Sequence, residues 1–253
     1  MLTLGYFYPV KTQSLSRSIA NRVTKIPEGE VFDYKYFDLP PANEAALAQA
    51  LSRLSKKGVI ERIAKGKFYK PRNTQFGKIK PMEDEVIRAV TYRGDKLIGY
   101  LTGVTQYNKM GFTMQVPNVL VIGTNHVLPA KKINNYKIKY SKRNVPISEE
   151  NIYLLQILDV IKDIKVIPDT KIEWSFARIV DMIKELTTIQ QKKMMQLAMQ
   201  YSAATRALTG AIFEKYIPGS RVKELKQSLN TLTRYRIGIS QKLLPNQSDW
   251  NIE

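Results

Sequence analysis

Between Gln13 and Pro71, apolar residues and chain breakers alternate in an order that few folds can use. Leu15, Ile19, Val23 and Ile26 recur at spacings of four, four and three, which is one face of a helix. Ser14 is expected to cap it, and Pro27 and Gly29 to end it. Val31 and Phe32 then suit a short strand, and the segment DYKYF a single helical turn. Pro40 and Pro41 break the chain, and Asn43 is the predicted cap of a helix reaching about Lys57, with Leu47, Ala50, Leu51 and Leu54 on its apolar face. Gly58 stops this helix after a basic last turn, Lys56-Lys57, that complements the helix dipole. Val59, Ile60 and Ile63 lead into a tight turn, Ala64-Lys65-Gly66-Lys67, and Phe68, Tyr69 and Lys70 return as a strand ended by Pro71.

Helix, short strand, short helix, longer helix, β-hairpin is the layout of a winged helix-turn-helix. At about 100° per residue, the longer helix turns Ala45, Gln49, Ser52 and Lys56 away from its leucines, with Arg53 at the edge of that face. Small residues let a helix approach a major groove closely. Gln pairs with adenine and Arg with guanine in two-pronged fashion. Asn43 and the helix N-terminus suit a phosphate. The hairpin places Arg62, Lys65, Lys67 and Lys70 around Gly66, where a wing lies along a minor groove or a phosphate ridge. Two blander readings stand beside this: a polar outer face can simply be solvated, and winged helices also bind proteins. Leu47, Leu51 and Leu54 are assigned to the core.

Charge bears on the choice. The 253 residues carry 40 Lys+Arg against 22 Asp+Glu, a net +18 that favours polyanions, either nucleic acid or anionic lipid. Lys11 to Arg72 alone holds 13 Lys+Arg and 6 Asp+Glu. There is no cysteine, which excludes a disulfide framework, a thiolate zinc site and a cysteine nucleophile. His126 is the only histidine, so a two-histidine metal site is impossible, and it reads as a loop residue. No apolar run approaches the roughly 20 residues that span a bilayer. Met1–Val10 lacks the basic and apolar regions of a secretory signal. These features place the protein in a cytoplasm.

The fold class expected is α+β, mainly helical. Residues 1–72 form the winged helix-turn-helix, and residues 73–253 a second domain, mixed α/β over 73–146 and helical over 147–253. In the mixed stretch, Glu83–Tyr92 and Tyr100–Met110 read as helices, Val116–Gly123 as a buried strand, and Lys137–Lys142 as an alternating strand. Lys131 to Arg143 holds six Lys+Arg and no acid. This run is either a basic strand edge that discourages aggregation or a second surface for phosphate, RNA or a protein partner. Thr102, Tyr107, Asn108, Gln115 and Asn118 make a polar cluster without a general base. Further on, helices are expected from Ser148, over Ile172–Leu186, Thr188–Tyr201, Ala203–Tyr216 and Ser220–Leu232. Asp159 and Asp163 share a helix face, which suggests an acid or metal pair, or pairing with Lys162 or Lys165. Thr205 to Lys242 holds eight Lys+Arg and two acids, spread along helices either as a solvated face or as a surface for RNA, an acidic partner or flanking DNA.

The run NEAALAQALSRLSKKGVIERIAKGKFYKP, the trailing FGKIKP (Phe76 to Pro81) and YLTGVTQYNKMGFTMQVPNVLVIGTN (Tyr100 to Asn125) together resemble the AbiEi-type antitoxins of bacterial abortive-infection systems. The resemblance extends to about Pro168. It implies an antitoxin that binds repeats in its own double-stranded promoter DNA, represses the operon, and counters a nucleotidyltransferase toxin in a bacterial cytoplasm, with no cofactor. The competing readings are a nucleic-acid-acting enzyme, such as a nuclease or nucleotidyltransferase, and a protein-binding winged-helix scaffold. The enzyme reading lacks a Walker loop, a Gly-Ser with Asp-x-Asp and an HEXXH signature. Asp159 and Asp163 are its only tempting carboxylates.

Overall fold

A computed structural model describes residues 14–75, 77–133 and 135–253. The reading of Met1–Val10, the first residues of the basic N-terminal count, and Phe76 of the FGKIKP segment lie outside them. The chain divides into two compact units, one ending at Ala89 and one spanning Val90–Glu253. The fold class is α+β.

The first unit opens with α1 (Leu15–Thr24), which buries Ile19 and Val23. Ser14 precedes it, but its side chain makes no capping bond. β1 (Val31–Asp33) follows, then a 3-10 turn over Tyr34–Phe37, capped by Asp33 Oδ1 accepting from Lys35 N at 2.9 Å. This turn stands in the second-helix place, and α1 holds it. Arg22 Nη2 donates to Tyr36 O at 3.1 Å, Arg22 Nη1 donates to Phe37 O, and the guanidinium lies 5.9 and 5.7 Å from the two ring centres.

A second 3-10 turn, Pro41–Asn43, runs into α2 (Glu44–Lys56). Asn43 is thus already helical (φ −96, ψ 0) and caps nothing with its side chain, contrary to the expectation from sequence. The preceding prolines explain this: Pro41 starts the coil three residues early, and a cap must lie outside it. Gly58 (φ +72) ends α2 as expected, in a left-handed conformation that favours glycine.

β2 (Glu61–Ala64) and β3 (Lys67–Tyr69) make the hairpin, and β1 pairs with β3, giving an antiparallel order β1-β3-β2. Phe32 lies opposite Phe68, and the two rings stack at 6.1 Å. With Ile19, Val23, Phe37, Leu47, Leu51 and Ile60 they form this unit's core, and Leu54 packs at its margin.

The compact unit continues past Arg72 through a small hairpin, β4 (Arg72–Thr74) and β5 (Gly77–Ile79), into α3 (Glu83–Thr91), in which the division falls. Glu85 Oε2 accepts from Val31 N at 3.3 Å, Lys78 pairs with Glu61 at 3.1 Å, and Lys67 Nζ donates to Ala89 O. These ties are why the segment after Arg72 belongs with the winged helix.

The second unit begins with the hairpin β6 (Tyr92–Arg93) and β7 (Lys96–Leu97). β8 (Gly99–Thr102), α4 (Val104–Lys109), β9 (Val119–Thr124), β10 (Lys131–Ile133) and β11 (Tyr136–Lys142) follow. The sheet order is β10-β11-β9-β8, with β11 parallel to β9 and the other pairs antiparallel. Two expectations are corrected here. Tyr100–Thr102 is a buried strand rather than the start of a helix, because it pairs with Val121–Gly123, and Gly103 (φ +73) separates it from α4. The next strand starts at Val119, leaving Val116 three-quarters exposed beside Pro117.

The remaining helices are α5 (Glu149–Asp163), α6 (Ile172–Glu185), α7 (Thr188–Ala198), α8 (Ala203–Tyr216) and α9 (Lys223–Gln227). α5 buries Leu154, Leu155, Ile157, Leu158, Val160 and Ile161 together with Gln156 and Asp159, a run covered on every side, so it is the central rod of the unit. α9 is shorter than Ser220–Leu232 because side chains take carbonyls at its end: Ser228 Oγ donates to Leu225 O and Arg206 Nη2 to Ser228 O.

The C-terminal residues close this core. Trp250 is fully buried over Gly210 of α8, and Ile252 bridges Tyr235. Glu214 Oε2 accepts from Trp250 Nε1 at 2.7 Å and from Asn246 Nδ2 at 2.8 Å, with Lys226 3.7 Å from Oε1. Among the described residues no helix is long and apolar enough to cross a membrane.

Candidate nucleic-acid interface

α2 is one uninterrupted helix. Its leucines are inward, and Ala45, Gln49, Ser52, Arg53 and Lys56 are all exposed on the opposite side. The face runs from a methyl group through an amide and a hydroxyl to two cations, and it can lie against base edges without moving any core residue. Its N-terminus is less suited to phosphate than the sequence suggested. Glu44 sits in the first turn, where its carboxylate already complements the dipole, and Asn43 is half-buried.

The hairpin divides its four basic residues. Lys65 is exposed at the turn next to Gly66 (φ +72). Arg62 is exposed, and its Nε donates to Ala64 O at 3.2 Å across the bulge between Arg62 and Ala64. Lys70 points elsewhere: Nζ donates to Thr24 O at 2.9 Å and Ile26 O at 3.0 Å, covering the carbonyl end of α1. Lys67 turns to Ala89 O. The structure thus removes Lys67 and Lys70 from the outward set and keeps Arg62 and Lys65. Tyr69 packs rather than stacks; it is buried and its hydroxyl donates to Glu61. Burial and this carboxylate push the phenol above its ordinary range, and the same bond, with Lys78, holds Glu61 below 4.5.

A second polar cluster, in the Val90–Glu253 unit, collects residues that the sequence left scattered. Asp159 is fully buried, yet it does not pair with Lys162 or Lys165. Tyr100 and Thr102 hydroxyls donate to its Oδ2 at 2.9 and 2.6 Å, and Tyr201 donates to Oδ1 at 3.1 Å. Arg143 Nε lies 3.2 Å from Oδ1, an ion pair whose angle falls outside hydrogen-bond geometry. Tyr107 bridges Asp163 Oδ2 at 2.7 Å and the Asp159 carbonyl at 3.1 Å. Lys162 pairs with Asp163 at 3.2 Å, and Lys165 Nζ donates to Arg236 O.

Burial raises all three phenols, and the aspartates raise them further, so they remain donors. For Arg143, burial opposes the charge, and the Asp159 carboxylate and Tyr100 together outweigh it, so the guanidinium stays charged. This is a buried network in which hydroxyls and a guanidinium surround the Asp159 carboxylate, rather than the acid or metal pair suggested by the spacing of the aspartates. No group of three or more potential metal ligands occurs among the described residues. Arg143 and Tyr201 were not found from sequence, because no periodicity relates Asp159 to a loop residue before its helix or to a tyrosine 42 positions beyond it. His126 is exposed in the loop after β9.

Comparison with known proteins places these features in context. No curated protein matches the chain. Among solved structures it is similar to the crystal structure of RV2827C protein from Mycobacterium tuberculosis, at 10% identity and a TM-score of 0.49, over 94% of this chain and 89% of that one. A family described only as of unknown function, DUF6088, matches residues 18–194. Since that span covers more than half of the chain, from α1 through α5 and into α7, the chain belongs to the DUF6088 family.

Proposed function

We propose that this chain is a DNA-binding repressor of its own operon and the antitoxin to a nucleotidyltransferase toxin. The observation that carries the DNA-binding part is the exposed row Ala45, Gln49, Ser52, Arg53 and Lys56 on an unbroken helix, held by a β1-β3-β2 wing with Arg62 and Lys65 outward. The charge of +18 supports it, since a polyanion offsets that self-repulsion. The antitoxin part is supported by the resemblance to AbiEi-type proteins in Asn43–Pro71 and Tyr100–Asn125. It is an expectation about partners rather than about chemistry, and the protein itself acts without turnover.

The test titrates the full chain against duplex from upstream of its own gene and against a scrambled duplex, at several salt concentrations. The upstream duplex is expected to bind tighter. If about six phosphates are contacted, log K falls against log salt with a slope near −5. Arg53→Ala is expected to cost about 1–3 kcal/mol on the upstream duplex and little on the scrambled one. Lys65→Ala is expected to weaken both alike and to shrink the slope by about 1. Equal binding of the two duplexes by the unaltered chain overturns the repressor reading. Failure to restore growth to cells expressing a nucleotidyltransferase encoded beside it overturns the antitoxin reading.

A further inference from the structure

The basic run from Lys131 to Arg143 lies outside the winged helix, and the structure assigns its lysines to definite places. Lys132 on β10 stands directly opposite Lys137 on β11. Directly opposed residues of an antiparallel pair project to the same side, and like charges there are destabilising. Lys139 is two residues further along β11, hence on that side too. All three are exposed, as are Lys131 and Lys142. None of these five forms a salt bridge among the described residues, and the run contains no acid. Beside the hairpin turn lies a hollow of about 430 Å³, lined by Ala130, Lys131, Lys132, Asn135 and Lys137.

Protection of a sheet edge explains only part of this. β10 is the edge strand, and one or two lysines there suffice to discourage pairing. Lys137 lies where β11 is paired on both sides, with β10 and with β9, so its charge guards no open edge. We infer that the β10–β11 hairpin is a second nucleic-acid contact, in which Lys132, Lys137 and Lys139 take phosphates of one strand. Side chains two apart on a strand stand about 6.7 Å from each other. That spacing, and the shorter one across the pair to Lys132, lets the flexible ammonium groups reach separate phosphates of a strand that rises about 3.4 Å per nucleotide. A phosphodiester backbone is favoured over a lipid surface because the aliphatic residues of the hairpin itself, Ile133 and Ile138, are buried under the sheet rather than presented with the lysines.

This contact does not depend on the winged-helix reading, and its test is separable from that one. The full chain is titrated with a fluorescent duplex of scrambled sequence across salt, and with vesicles of phosphatidylserine and phosphatidylcholine. A variant carrying Lys132→Gln, Lys137→Gln and Lys139→Gln is expected to lose about 2.7 from the magnitude of the log K against log salt slope, at about 0.9 per phosphate. The loss is expected whether or not Arg53→Ala and Lys65→Ala are also present. Arginine at the same three positions is expected to restore the slope, and Lys137→Gln alone to give about a third of the loss. An unchanged slope in the triple glutamine variant overturns the proposal. So does a slope that arginine fails to restore, or vesicle binding that disappears in the triple variant while duplex binding is untouched. Failure of the winged-helix reading registers elsewhere, as equal affinity for upstream and scrambled duplexes.

Discussion

Asp159 is the residue on which most depends in the second unit. Three hydroxyls and Arg143 converge on its carboxylate in a site closed to solvent. Asp159→Ala leaves Arg143 charged and without a counter-ion, and is expected to cost about 3–5 kcal/mol in urea unfolding. Asp159→Asn keeps the shape and part of the bonding, and is expected to cost less. Gly210 is a steric counterpart. A Cβ there would lie 2.1 Å from the Trp250 ring, so Gly210→Ala is expected to lower the urea midpoint, by about 1–3 kcal/mol of overpacking. Glu214 gives the pH dependence. Burial pushes its carboxyl up, but the bonds from Trp250 and Asn246 and the charge of Lys226 outweigh this and hold it below 4.5. A carboxylate depressed on folding adds stability above its ordinary value, and that contribution disappears as pH falls through the folded value. Urea midpoints measured from pH 7 down to pH 3 are expected to fall less steeply for Glu214→Gln than for the unaltered chain.

At the scale of elements, legibility followed the physics of periodicity. α1, α2 and the wing were readable because apolar spacing, prolines and turn glycines all agreed within sixty residues. The helix expected over Tyr100–Met110 failed at its first half. Tyr-Leu-Thr is too short to show an alternation, and its strand character comes from pairing with β9, which lies some twenty residues on. Strands β4, β5, β6, β7 and β10, each of two or three residues, carry no periodic signal at all. The candidate interface was readable to the same degree. Outward positions of α2 follow from its helical period, whereas the roles of Lys67 and Lys70 depend on carbonyls brought near by folding. Lys70→Met is accordingly expected to destabilise the first unit, by about 1.5–3 kcal/mol for bonds from a charged donor. It is expected to leave the salt slope of duplex binding unchanged, unlike Lys65→Ala.

For the whole molecule, basicity is shared rather than confined to the winged helix. Residues 90–253 carry 24 Lys+Arg against 13 Asp+Glu, an excess larger than the 16 against 9 of residues 1–89. The chain purified at low ionic strength is therefore expected to carry nucleic acid, visible as a raised 260 to 280 nm absorbance ratio. Washing at about 1 M salt, where the screening length is about 3 Å, is expected to remove it. The placement of Trp250 has a further result in time. Ribosomes extend a chain at roughly 5–20 residues per second, and the winged helix has all its core residues before α4 is made. The helical core around α8 instead waits several seconds for one indole synthesised after every one of its helices. During that interval the groove over Gly210 lies open on the nascent chain, an invitation to chaperones and proteases that the N-terminal unit never extends.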